Sequence, residues 1–279
     1  MTGQNRSQEQ GSFHRNSELA GVEVRVVEQS FCHWSCYATE FEFLAPGSWS
    51  GDVRHRGATS LLEAGAVLCA RPGEVFAAQK VRLPGSRSSL LIDERSLRAY
   101  LDEHRIRAAG FELLPHARMS AALNESLARV FGAFRAECGA LEIEAALVEF
   151  VARAVPELFG RSSDALPEKP EPAAVERIRE RLEEDQSQSL DLAALAREVG
   201  LSRFGTLRAF KRQFGLPPHA YRLCVRLGLA RRSLRRGSKP ADVAAAYGFV
   251  DQSHLTRHFR RRFGITPAEY ARLGGQVGR

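Results

Sequence analysis

Residues 202–221, SRFGTLRAFKRQFGLPPHAY, return as residues 251–270, DQSHLTRHFRRRFGITPAEY. Phe210, Phe214, Gly215, Pro218 and Tyr221 of the first stretch correspond to Phe259, Phe263, Gly264, Pro267 and Tyr270 of the second, at a constant offset of 49 residues. One offset shared by several residue types is the mark of a duplicated structural unit. In each copy a short Ala-rich helical run ends at a glycine (Leu195 to Gly200, Val243 to Gly248) and leads into a basic helix (Ser202 to Phe214, Asp251 to Phe263). Helix, glycine turn and second helix make a helix-turn-helix pattern, here present twice.

The charge follows the repeat. From Ser202 to Arg279 there are 17 Arg and Lys against three acids (Asp242, Asp251 and Glu269), whereas residues 1–170 carry 19 basic and 22 acidic side chains. The overall +7 therefore conceals a C-terminal block of +14 joined to a slightly acidic remainder. A charge run alone is compatible with a solvated helix face. Cations grouped on duplicated helices instead point to a polyanion, because phosphate neutralisation supplies most non-specific nucleic-acid affinity.

A chain of 279 residues has room for two domains, and 44% hydrophobic with 26% charged residues is a globular composition. No apolar run approaches a membrane span, and the polar stretch Met1 to Ser17 has no hydrophobic core of a signal peptide, so a cytoplasmic location without membrane contact is expected. Five scattered cysteines fit a reducing compartment. Residues 1–20 read as a flexible N-terminus. Alternating runs such as Val22, Val24 and Val26, and then Thr39 to Leu44, begin a series of short strands bounded by turn residues. That spacing predicts an antiparallel barrel-like or sandwich domain whose strands end near Ile92. Asp93 is placed to cap a helix. Two amphipathic stripes follow (Leu123, Leu127, Val130, Phe131, Phe134; Ile143, Leu147, Phe150, Val151, Ala154) and predict an antiparallel helical pair about Gly139. This hairpin can pack under the strands or join two copies in a homodimer. Residues 162–172, proline-rich and charged, read as a linker between a domain of residues 21–161 and a basic all-α domain of residues 173–272.

On the second basic helix, Asp251 can cap the N-terminus and leave Gln252, Ser253, Thr256 and Arg257 on one side, while Leu255, Phe259 and Phe263 face the core. Arg suits guanine O6 and N7, Gln suits adenine, and Thr offers a hydroxyl and a methyl. Arg260, Arg261 and Arg262 are placed to hold phosphates. On the first basic helix Ser202 is the expected cap. Arg203, Phe204, Leu207 and Arg208 face the groove, with Lys211 and Arg212 toward the backbone; Phe204 and Leu207 can give only apolar contact, as with a thymine methyl. Any single reader can equally be a phosphate contact, since half or more of such bonds go to the backbone. Between the units, Pro217-Pro218 opens an arginine-rich helix to Arg236, about 27 Å long, which can space the two readers by nearly one turn of DNA.

The pattern Gly248-Phe249, Gln252-Ser253, Leu255-Thr256-Arg257, Phe259, Phe263-Gly264, Pro267 and Tyr270 resembles the signature of AraC/XylS-family transcriptional regulators over residues 173–272. The resemblance implies two recognition helices in consecutive major grooves of double-stranded promoter DNA. It further implies a regulatory domain that binds an effector or dimerises, contact with RNA polymerase, and activation more often than repression. Gly205 and Thr206 depart from it, standing where such proteins place a larger residue and a core Leu. A glycine there predicts a softer first helix and a dominant second one.

The N-terminal strands, with Gly65 and Pro72-Gly73-Glu74, resemble more loosely a cupin-like sensor domain. Phe76 stands where a metal-binding cupin pattern would place its histidine, so no metal or cofactor is expected. Trp34, Tyr37, Phe41, Phe43 and Trp49 could line an effector pocket for a small molecule, although aromatics at this density more often form core. Cys32, His33 and Cys36 admit a thiol- or metal-responsive alternative. In a strand, however, the two cysteines lie about 13 Å apart, too far to share a metal. Neither a nucleophile beside a base nor a phosphate-binding glycine loop is visible, so no catalytic residue is assigned. A cupin-type enzyme with a DNA-binding tail and a sequence-blind architectural protein are the competing classes.

Overall fold

A computed structural model describes residues 10–31, 33–106, 113–159, 173–184 and 191–273. The N-terminal half is built from strands β1 (Gln10–His14), β2 (Val22–Ser30), β3 (Ser35–Tyr37), β4 (Phe41–Pro46), β5 (Ser50–His55), β6 (Ala58–Leu62), β7 (Ala66–Ala70), β8 (Val75–Leu83) and β9 (Gly85–Ile92). Helix α1 (Glu94–Glu103), strand β10 (His116–Arg118) and helices α2 (Ala121–Arg135) and α3 (Ala140–Leu158) complete it. All pairings are antiparallel. They form a six-stranded sheet in the order β1-β2-β9-β4-β7-β10 and a four-stranded sheet in the order β3-β8-β5-β6.

Alternation along the central strands fixes the layering, because successive side chains leave opposite faces. Leu44, Ala66, Leu68 and Ala70 meet Trp34, Trp49, Val53 and Phe76 between the two sheets. Phe43, Val67, Cys69, Leu90 and Ile92 point the other way, into a core closed by α1, α2 and α3. With both faces covered, β7 is buried throughout. The helical stripes expected about Gly139 pack into this core, with Leu123, Leu127, Val130, Ile143, Leu147 and Phe150 buried there. Asp93 caps α1 as expected, its side chain accepting from the Ser96 N–H at 2.8 Å.

Two boundaries differ from the sequence reading. Gln10–His14 is a strand paired with β2, not part of a loose end, and Phe13 is buried. The strands also do not stop at Ile92, since β10 pairs with β7 beyond α1. The proposed linker, residues 162–172, lies outside the described residues.

The C-terminal half is helical: α4 (Ala173–Glu184), α5 (Leu192–Glu198), α6 (Arg203–Phe214), α7 (Pro218–Arg235), α8 (Pro240–Ala246), α9 (Gln252–Phe263) and α10 (Pro267–Arg272). Two separate cores underlie the repeat. Phe210 lies 5.2 Å from Tyr221 and 4.6 Å from Phe214 between ring centroids, and Phe259 lies 5.6 Å from Tyr270 and 4.5 Å from Phe263. The residues that recur at 49-residue spacing are thus the aromatic keystones of two equivalent units. Each core also takes in a β-domain residue: Val75 joins the first and Phe13 the second.

Candidate nucleic-acid interface

Helices α6 and α9 start and stop by the same local chemistry. Ser202 Oγ accepts from the Gly205 N–H at 3.0 Å, and Asp251 Oδ1 accepts from the His254 N–H at 2.6 Å, so each side chain satisfies an otherwise orphaned donor. Gly215 (φ 73°) and Gly264 (φ 86°) end the helices in the left-handed conformation that side chains disfavour. Apart from the Asp251 cap, neither helix presents a carboxylate.

On α9 the structure brings Gln252, Ser253, Arg257, Arg260 and Arg261 to solvent and buries Leu255, Phe259 and Phe263. Thr256 is half-buried, and its Oγ1 donates to the Gln252 carbonyl at 2.8 Å. Its hydroxyl proton is committed to the helix, leaving an acceptor and a methyl for a base. On α6, Arg203, Phe204, Arg208, Lys211 and Arg212 are exposed and Leu207 is half-buried. Phe204 is 74% exposed, which a core role does not explain. Val250, equally exposed beside the α9 cap, is a further exposed apolar side chain that the sequence did not single out. A lone valine before a cap carries no periodic signal. Burial, then the fields of His254, Arg257 and Arg261, push His258 below the ordinary imidazole value, favouring its neutral form.

Arg262 is placed elsewhere. Its Nε donates to the Ser35 carbonyl of β3, and its own carbonyl accepts from Arg25 Nη2 at 3.0 Å. It docks the β-domain and leaves the phosphate-facing set. The arginines of α7 and its C-cap divide similarly. Arg222 and Arg231 are buried and Arg226 Nη1 donates to the Gly248 carbonyl at 3.0 Å, while Arg232 and Arg236 are exposed. Arginine count in a sequence does not separate these roles.

Arg231 is the centre of an ionic network between the halves. Its Nη1 donates to Glu23 Oε1 at 2.8 Å, its Nη2 to Thr39 Oγ1 at 3.0 Å, and it pairs with Glu40. Arg15 Nε donates to Glu23 at 2.5 Å and the Tyr270 hydroxyl donates to the same carboxylate at 2.8 Å. Burial pushes the Glu23 pKa up, but the guanidiniums of Arg15, Arg231 and Arg235 and the Tyr270 hydroxyl outweigh it and hold the net value below the ordinary range. The matching tyrosine of the first unit, Tyr221, donates instead to Glu183 on α4 at 2.6 Å. The repeated tyrosine is therefore held by a β-domain carboxylate in the second unit and by α4 in the first.

The aromatics expected to form one effector pocket are distributed among three packing groups. Trp34 and Trp49 fill the space between the sheets, Phe41 and Phe43 the core under the helices, and Tyr37 packs against the first helical unit. A cleft of about 810 Å³, lined by Phe41 but by none of the other four, opens between the halves, where His55, Arg56, Arg71 and Glu74 face Arg179, Phe214 and Tyr221. Glu74 accepts from Arg56 Nε at 2.8 Å, from Arg71 Nε at 3.0 Å and lies 3.0 Å from His55 Nε2. Burial raises its pKa, but hydrogen bonding and charge from His55, then Arg56 and the Arg71 N–H, bring it down to about 2. Among the described residues no group of three or more His, Cys, Asp or Glu is placed to hold a metal. Cys32 lies outside the described residues. Cys36 is buried, and burial with the nearby Glu42 pushes its thiol up to about 11, away from thiolate chemistry.

A helix-turn-helix family model matches residues 195–273, spanning both units from α5 to the end of α10. Residues 195–273 are a helix-turn-helix domain. Over 102 residues the chain is 36% identical to YbfI, an uncharacterized HTH-type transcriptional regulator of Bacillus subtilis, covering 36% of this chain and 37% of that protein. Over 99 residues it is 35% identical to the virulence regulon transcriptional activator VirF of Yersinia enterocolitica, covering 35% and 36%. The match thus spans little more than a third of each relative's length. Among solved structures, ToxT from Vibrio cholerae aligns over 92% of this chain and 99% of its own at 14% identity and a TM-score of 0.45. No helix among the described residues is long and apolar enough to cross a membrane.

Proposed function

We propose that the chain is a sequence-specific transcription regulator that reads double-stranded promoter DNA through α6 and α9, with the β-domain as its regulatory part. The observation that carries this reading is the pair of helices with matched caps and cores, each exposing a carboxylate-free face of hydrogen-bonding side chains. Gln252, Ser253, Arg257, Arg203 and Arg208 are the base-edge candidates with Thr256, Phe204, Leu207 and Val250 as apolar contacts; Arg260, Arg261, Lys211 and Arg212 hold backbone. The buried Arg231–Glu23–Glu40 network and the cleft beside Glu74 give the β-domain a physical hold on both units. An effector entering that cleft can therefore alter how the helices are presented. Activation, the sign implied by the family resemblance, follows from recruiting polymerase at a bound promoter.

Selection of bound fragments from genomic DNA at several salt concentrations tests the proposal. A preferred site that survives added salt is expected, since base contacts outlast weakened phosphate attraction. Uniform binding that vanishes with salt would mark a sequence-blind architectural protein.

A further inference from the structure

The four-stranded sheet comes directly against the first recognition helix. Arg54 on β5 donates from Nε to the Gln213 carbonyl at 3.1 Å and from Nη1 to Thr59 Oγ1, its cross-strand neighbour on β6, also at 3.1 Å. Gln79 on β8 reaches the Gly215 carbonyl at 3.4 Å. These bonds hold the Arg54 guanidinium beside the C-terminal turns of α6. A cleft of about 510 Å³ lies there, lined by Arg54, Thr59, Gln79, Arg208, Lys211 and Arg212. Four of those six side chains are cations and none is a carboxylate. Asp52, the next residue along the same face of β5, is engaged by Arg82 at 2.9 Å.

Arg208 and Lys211 also line an adjoining cleft of about 590 Å³ with Arg203, Leu207 and His219. The basic surface is therefore continuous from the start of α7, across α6, and onto the β-domain. Four like charges around one acid-free cleft repel one another unless a polyanion occupies it. A chain of phosphates is the occupant whose shape follows this surface, because the same Arg208 and Lys211 sit on the helix that faces the groove.

We infer that Arg54 of the β-domain contacts a DNA phosphate flanking the groove entered by α6, so that the regulatory half is itself part of the DNA interface. This rests on the DNA-reading role proposed above. It couples the halves directly, since any shift of β5 relative to α6 removes a backbone contact.

The test uses the full chain and the fragment recovered by selection, with affinity measured against salt concentration. Each phosphate contact contributes about 0.9 to the slope of log affinity on log salt. Arg54→Gln, which keeps a donor toward Gln213, should lower that slope by about one and leave the preferred sequence unchanged. Arg54→Lys, which keeps the charge, and Gln79→Ala, which removes only the neutral bond to Gly215, should keep the wild-type slope. Ethylation interference should lose one phosphate with Arg54→Gln. An unchanged slope in Arg54→Gln, or an equal fall in Gln79→Ala, overturns the inference in favour of a purely docking role. A thermal shift with inorganic phosphate that depends on Arg54 while the slope does not would assign the cleft to a free anion and equally overturn it. Failure of the wild-type chain to prefer any fragment strikes the DNA-reading role itself, a different outcome.

Discussion

Arg257 is exposed on the second recognition helix, behind a carboxylate cap and ahead of two exposed arginines, Arg260 and Arg261. As a base reader, its replacement by alanine should cost about 1–3 kcal/mol of specific binding and relax preference at one position. Arg208→Ala should relax preference less, because Arg208 sits on the first helix, whose opening turn carries Gly205. Quantitative mobility shifts on specific and scrambled fragments check both, and equal losses of specificity would remove the asymmetry between the units. Glu74 makes a separate prediction about pH. Its folded pKa of about 2 lies below the ordinary carboxyl value of 4.5, so the folded state binds fewer protons in between. The resulting stabilisation, about 3 kcal/mol, is complete above pH 4.5 and is lost as pH falls toward 2. Urea denaturation of wild type and Glu74→Gln across this range should show a stability gap that closes on acidification; a constant gap contradicts the ionic role.

Among the elements, α6 carries the departures that the sequence singled out. Gly205 sits in the first turn with its N–H bonded to the Ser202 cap, and Thr206 is fully buried where a larger apolar residue is typical of the family it resembles. Alanine at 205 gains up to about 1 kcal/mol of helix propensity. Its Cβ, however, would meet Ser202 Oγ at 3.1 Å, so the cap must yield slightly. Gly205→Ala should therefore stabilise by roughly 0.5 kcal/mol, less than the propensity difference. Denaturant titration checks this, and destabilisation would show that the cap, not the glycine's freedom, governs the turn. At this scale the sequence was most informative. The caps at Asp93, Ser202 and Asp251, the helical pair about Gly139 and the two aromatic keystone sets were readable because each depends on neighbours within a turn or on strict periodicity. Strand β1 was not, since QGSFH offers one large apolar residue and Phe13 finds its partners, Phe263 and Tyr270, at the far end of the chain. Strand β10 spans only three residues, too short to show alternation.

Across the whole molecule, the two halves share buried chemistry that residue spacing could not disclose. Glu23 and Arg231 are separated by 208 positions, and each looks like an ordinary surface residue in sequence. Arg262 was likewise indistinguishable from Arg260 and Arg261 until its bond to Ser35 placed it at the junction. The expected effector aromatics do not meet in a single site, since β4 turns Phe43 toward the helices while Trp49, between β4 and β5, fills the space between the sheets. Arg231→Ala leaves Glu23 and Glu40 buried without their shared cation, an arrangement that typically costs about 3–5 kcal/mol. Urea denaturation should show a loss of that size, with hydrogen exchange rising in β2 and α10. A loss under 1 kcal/mol would mean that solvent already screens the network. In the proposed function the duplicated unit places two readers on one face of DNA. Hydroxyl-radical footprinting of the selected site addresses it most directly. Two protected segments about one helical turn apart are expected, the second weakened selectively by Arg257→Ala. A single protected segment, or protection without a preferred register, would contradict it.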